Sequence, residues 1–125
     1  MHTLLIVDDE EIEREGMAQF IPWDTYEMKV VGTARNGAEG LEKIAKYKPD
    51  LAIVDIKMPV MNGIEMIRKA KEQYPDMTFV VLSGYGDYEF TSQAMELGVR
   101  HYILKPCDEG KMIPVLNKAI AELEE

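Results

Sequence analysis

The chain has 125 residues, 46% hydrophobic and 30% charged, the size and composition of one globular domain that buries roughly two thirds of its unfolded surface without disulfides or structural metal. Its 14 basic residues face 23 acidic ones, a net charge of −9, which repels a phosphate backbone and excludes nucleic-acid binding by this segment alone. No apolar run approaches the roughly 20 residues of a membrane span, MHTLLIVDD lacks the basic start of a secretory signal, and the lone Cys107 cannot form an internal disulfide, so a cytoplasmic chain with no membrane contact is expected.

In chain order, residues 4–7 (LLIV) read as a strand that runs straight into Asp8, Asp9, Glu10 and Glu11. Carboxylates within about 4 Å repel by roughly 4 kcal/mol near a protein surface, so this density needs a cation, a helix start or water to offset it. Glu10 and Glu11 are assigned to the start of the first helix, whose positive end favours acids by about 0.3–1 kcal/mol each. The second strand is expected at residues 28–32 (MKVVG). Asn36 with Glu39 forms a capping box for the second helix, with Ala38, Leu41, Ile44 and Ala45 on one face and Pro49 as its stop. A third strand at 51–54 (LAIV) leads to a helix capped by Asn62 with Glu65, lined inward by Ile64, Ile67 and Ala70, and ended by Pro75.

A fourth strand at 79–82 (FVVL) precedes a helix that Asp87 is expected to cap, with Phe90, Ala94, Met95 and Leu97 inward and Gly98 at its end. The fifth strand, 101–104 (HYIL), leads to a last helix opened by Asp108 and lined by Met112, Leu116, Ala119, Ile120 and Leu123. Pro114 falls inside that helix, where it removes a backbone hydrogen bond. Either the helix starts later than Asp108 or its first turn is distorted.

Four of the five apolar runs are continuous rather than alternating, the pattern of strands covered on both faces. Five strands alternating with five helices give a (βα)5 doubly wound α/β sandwich with a parallel sheet in the flavodoxin-like order 2-1-3-4-5. In that order the chain reverses between strands 1 and 3, and ligands bind at the carboxyl ends of strands beside the reversal. Those ends carry Asp8 and Asp9, Asp55, Ser83, and Lys105 followed by Pro106.

Three carboxylates, a hydroxyl and an ammonium in one crevice suit a hard, oxygen-ligated cation. Mg²⁺ fits best, since it is held by one or two carboxylates, waters and a substrate phosphate rather than a closed cage. Such an ion brings a phosphoryl donor to a carboxylate nucleophile while Lys105 and Ser83 supply a cation and a donor, so an aspartyl phosphate is the expected product. His2, His101 and Cys107 have no zinc-ligand spacing; both histidines read as structural and Cys107 as a small apolar filler.

The pattern VDDEE, VDIKMPVMNG, VVLSGYGD and YILKP resembles, over the whole chain, the receiver domain of bacterial two-component response regulators, the CheY-like fold. The resemblance implies that Asp55 accepts a phosphoryl group from a phosphohistidine on a sensor histidine kinase. It implies Mg²⁺, for which Mn²⁺ substitutes, bound by Asp9 directly, by Asp8 through water or by orientation, by Asp55, and by the backbone carbonyl of Lys57. Ser83 and Gly84 are then the phosphoryl-binding switch, Lys105 bridges to the phosphate, and Tyr102 is the aromatic that swings inward in the active state, against the plainer reading of a fixed half-buried tyrosine. Lys105–Pro106 is a cis candidate, against a base rate of about 5% for X–Pro bonds. A homodimer through helix 4, strand 5 and helix 5 is expected on phosphorylation. PWD at 22–24, DIKMP and SGYGDYEF are similar to receivers placed ahead of an AraC-type helix-turn-helix domain, so residues 1–125 are expected to form the receiver, with DNA contacted only through a C-terminal effector outside this chain.

Lys57 and Gly84 sit where the family tunes aspartyl-phosphate hydrolysis; Gly84 leaves the site open, while Lys57 either covers it or pairs with an incoming group. Three rival functions fit the sequence less well. An aspartate-nucleophile, Mg²⁺-dependent phosphatase needs a second carboxylate two residues after the nucleophile, where this chain has Lys57. In a flavodoxin-like mononucleotide binder, the three crevice carboxylates would repel the flavin phosphate. A degenerate receiver acting only by protein contact would not keep Asp8, Asp9, Asp55, Ser83 and Lys105 together.

Overall fold

Each apolar run is a strand of one parallel sheet in the computed structural model, which describes residues 1–124. The strands are β1 (His2–Val7), β2 (Met28–Ala34), β3 (Leu51–Asp55), β4 (Thr78–Ser83) and β5 (His101–Leu104), in the order β2-β1-β3-β4-β5. The helices are α1 (Glu11–Phe20), α2 (Gly37–Tyr47), α3 (Gly63–Gln73), α4 (Tyr88–Glu96) and α5 (Glu109–Leu123). This is the expected doubly wound (βα)5 sandwich. Among the described residues no helix is long and apolar enough to cross a membrane.

The continuous strand runs follow from two cores, one on each sheet face. Leu4, Ile6, Leu51, Ile53, Val80 and Leu82 pack against Met17 of α1 and Met112, Leu116, Ala119 and Ile120 of α5. The alternate residues Leu5, Val7, Ala52, Val54 and Val81 pack against Ile44 of α2, Ile64, Ile67 and Ala70 of α3, and Ala94 of α4. Each large aliphatic so enclosed contributes roughly 1.5–3 kcal/mol over an exposed one. β2 and β5 are sheet edges and are accordingly less buried.

The caps decide where the helices begin. Asn36, Asn62 and Asp108 each accept the N–H of the residue three positions on, at 2.9 Å, a bond worth about 1 kcal/mol at a helix start. Asp87 occupies the corresponding place before α4 but makes no side-chain cap; its carboxylate is engaged elsewhere. Met95 and Leu123, expected to face inward, are exposed.

Pro114 lies within an unbroken α5 that starts at Glu109, so the helix neither starts late nor stops. The lost bond belongs to the Gly110 carbonyl, and because Gly110 and Pro114 are both exposed, water can serve that oxygen instead. Sequence periodicity gave no sign of the 3₁₀ turn at Trp23–Tyr26. Trp23 is a packing residue there, buried with its Nε1–H donating to the Met17 carbonyl at 2.9 Å.

Candidate functional site

Register brings the strand ends level. Val7 pairs with Val54, so Asp8 and Asp55 follow side by side on β1 and β3. Asp55 pairs with Leu82 and Ser83 with Leu104, which places Ser83 and Lys105 at the ends of the next two strands. α3 begins hard against this row: a Cβ on Gly63 would stand 2.3 Å from the Asp55 carbonyl oxygen, and the Gly63 N–H donates to Ile56 O at 2.8 Å. Only a residue without a side chain lets the helix start so close to the strand end.

Asp8, Asp9 and Asp55 offer oxygens that all lie within 4.8 Å of one another. Asp8 is fully buried, and its Oδ1 accepts the Glu10 N–H at 2.9 Å. Its Oδ2 is the one buried side-chain oxygen or nitrogen without a partner among the described residues. Such an orphaned anionic oxygen is costly unless a cation or proton serves it. Burial pushes Asp8 up to about 7, with the Glu10 N–H opposing and the Asp55 charge adding. Asp55 is raised by burial as well, against the opposing hydrogen bond and charge of Lys105. A hard divalent ion fits this all-oxygen set and would displace the proton.

Lys105 Nζ donates to Asp55 Oδ2 at 3.0 Å and lies 3.4 Å from Glu13 Oε2. Burial works to lower the Lys105 pKa, but the Asp55 carboxylate outweighs it and holds the ammonium above its ordinary range. Lys105–Pro106 is cis, as the resemblance implied. Ser83 is buried at the end of β4. Tyr102 is half-buried, its hydroxyl donating to Val99 O at 2.8 Å while it packs on the α2–α3–α4 face. Burial pushes the Cys107 thiol up to about 11, which suits the apolar-filler reading rather than a reactive thiolate.

Three contributors were not legible in the sequence. Arg14, an unremarkable charge in the first helix, is buried, and its Nη1 donates to the Asp8 carbonyl at 3.1 Å. Glu13 competes with Asp55 for Lys105. Asp87 sends Oδ2 to the Gly84 N–H at 2.7 Å and Oδ1 to Lys57 Nζ at 3.0 Å. Lys57 is therefore paired with Asp87 rather than free. Burial of Asp87 would raise its pKa, yet the Gly84 N–H and Lys57 together hold it below the usual carboxylate range. A short acid three residues after a glycine is the available signal, and it serves a helix cap equally well. A depression lined by Asp9, Lys57, Pro59, Asn62 and Phe90 opens beside these groups.

Comparison with known proteins agrees with this geometry. The family described as response regulator receiver domain matches residues 4–117. The chain is 44% identical over 124 residues to the transcriptional regulatory protein YesN of Bacillus subtilis, covering 99% of this chain and 34% of that protein. It is 35% identical over 125 residues to the transcriptional regulatory protein HptR of Staphylococcus aureus, covering 100% of this chain and 49% of that one. The chain thus spans between a third and a half of these curated relatives. Among solved structures, the receiver domain of AraT, a response regulator from Geobacillus stearothermophilus, matches with a TM-score of 0.90 at 36% identity, over 98% of this chain and 95% of that one. Fold, strand-end residues and the near full-length match agree: the chain belongs to the response regulator receiver domain family.

Proposed function

We propose that Asp55 is the phospho-acceptor of this signalling module, taking a phosphoryl group from a phosphohistidine of a sensor histidine kinase. A carboxylate oxygen of Asp55 attacks phosphorus, the P–N bond breaks, and the departing imidazole nitrogen keeps the electron pair and takes up a proton. The observation that carries this reading is the Asp55 carboxylate, tied to Lys105 at 3.0 Å and set among the oxygens of Asp8 and Asp9. Lys105 orients the nucleophile and remains charged beside the oxygens on which negative charge develops. Asp8, with its unpartnered Oδ2, and Asp9 would hold Mg²⁺ or Mn²⁺ together with Asp55 and the Lys57 carbonyl. When bound, the ion neutralises charge on the transferring phosphoryl group. Ser83 and the Gly84 N–H are the donors assigned to the new phosphoryl oxygens.

Acceptance of the group is read outward through the β4–α4 loop, Tyr102 and the face of α4, β5 and α5. Tyr88, Met95 and Leu104 are exposed on α4 and β5, apolar area that suits a homodimer formed on phosphorylation. The output is assigned to a DNA-binding domain beyond residue 125, since relatives named as transcriptional regulatory proteins are two to three times this length and an acidic chain of net charge −9 does not itself bind DNA. Incubation with Mg²⁺ and acetyl phosphate should add one phosphoryl group by intact mass and none to Asp55→Asn. An unmodified wild type, or equal labelling of the variant, overturns the assignment.

A further inference from the structure

Asp87 stands out as a buried acid that neither caps its helix nor belongs to the carboxylate cluster of Asp8, Asp9 and Asp55. Its two oxygens are divided between two loops. Oδ2 takes the Gly84 N–H, directly after Ser83 on the β4–α4 loop, at 2.7 Å; Oδ1 takes Lys57 Nζ, two residues after Asp55 on the β3–α3 loop, at 3.0 Å. The Asp87 N–H in turn reaches the Gly84 carbonyl at 3.4 Å, so residues 84–87 close on themselves. The Lys57 side chain is 63% exposed along its length, against 10% for the Asp87 side chain, so a solvent-facing stem delivers its charge to a buried partner.

Both donors held by Asp87 are the ones a phosphoryl group on Asp55 would seek. Register places Ser83 and the following N–H beside the end of β3, and Lys57 is the cation nearest to Asp55 in sequence on the other side. An N–H directed at one carboxylate cannot also be directed at a phosphoryl oxygen, and charge-assisted bonds of this kind are the strong ones. We infer that Asp87 is a positioning residue that latches the β4–α4 loop to the β3–α3 loop in the unphosphorylated state, competing with the aspartyl phosphate for the Gly84 N–H and the Lys57 ammonium. The latch rests on the reading of Asp55 as acceptor. It makes phosphoryl binding at the site and the Asp87 contacts mutually exclusive, so each weakens the other by the same factor.

The test is titration of the intact chain with beryllofluoride and Mg²⁺, followed by the backbone amide signals in ¹⁵N-labelled protein. Asp87→Ala, which frees both donors, should tighten binding by roughly tenfold, and its Gly84 amide signal should lie toward the ligated position before any addition. Asp87→Asn keeps the side-chain shape and an acceptor for Gly84 but loses the ion pair; it should tighten binding less, and it serves if the alanine variant does not fold. A residue with a merely structural role would loosen binding or leave it alone. Unchanged or weaker affinity in the folded variants, with the Gly84 signal unmoved, overturns the latch and leaves the acceptor reading standing. No binding by the wild type, or equal binding by Asp55→Asn, overturns both.

Discussion

Asp8 has one oxygen satisfied by a backbone N–H and one left alone in a fully buried position. Because its pKa in the fold is raised from 3.8 to about 7, the folded state holds a proton that the unfolded chain releases. Its stabilising contribution is therefore complete below about pH 4 and is lost as pH rises through about 7. Mg²⁺ should offset that loss, so the increase in melting temperature on adding Mg²⁺ should be larger at pH 8 than at pH 6. Asp8→Asn should stabilise the metal-free domain by roughly 1–3 kcal/mol at pH 8 and abolish the response to Mg²⁺; an unaltered Mg²⁺ response would refute the role given to Asp8. Val60 carries backbone strain. Its φ of 68° is a region that β-branched side chains rarely adopt, and it is exposed, so nothing it packs against repays the strain. Val60→Gly should raise unfolding free energy by about 1 kcal/mol in urea titration.

At the level of elements, what the sequence disclosed was what local chemistry controls. Asn36, Asn62 and Asp108 cap helices as their spacing predicts, and Gly98 follows α4 with φ of 92°. Asp87 shows where that reasoning stops. A short acid bonds whichever backbone N–H tertiary structure brings near, and here Gly84 and Lys57 outcompeted the helix end. Arg14 and Glu13 were invisible for a related reason, since their partners Asp8 and Lys105 are set by the packing of α1 on the sheet rather than by neighbours in sequence. The junction of β3 with α3 carries the sharpest steric demand, with Gly63 against the Asp55 carbonyl. Gly63→Ala should cost about 1–3 kcal/mol and, by displacing Asp55, slow labelling by acetyl phosphate; a variant as stable and as quickly labelled as wild type would refute that tight fit.

For the whole molecule, the order β2-β1-β3-β4-β5 turns residues as distant as Asp8, Asp55 and Lys105 into one site. The doubly covered strands made that order readable, because continuous apolar runs alternating with amphipathic helices have few other solutions. The twofold division of the core and the convergence of the strand ends were legible for the same reason, whereas loop-to-loop bonds were not. Phosphorylation is expected to act on association as well as on the site. Sedimentation with beryllofluoride and Mg²⁺ should show a shift toward dimer absent from the untreated chain, and a monomer in both conditions would contradict the assignment of the α4–β5–α5 face. The identity of the acceptor can be read out chemically. Borohydride reduction of the chain after reaction with acetyl phosphate converts an aspartyl phosphate to homoserine, which peptide mapping locates. With Asp55 as the acceptor, homoserine appears at position 55 alone; homoserine at position 8 or 9, or none at all in a phosphorylated sample, would contradict that assignment.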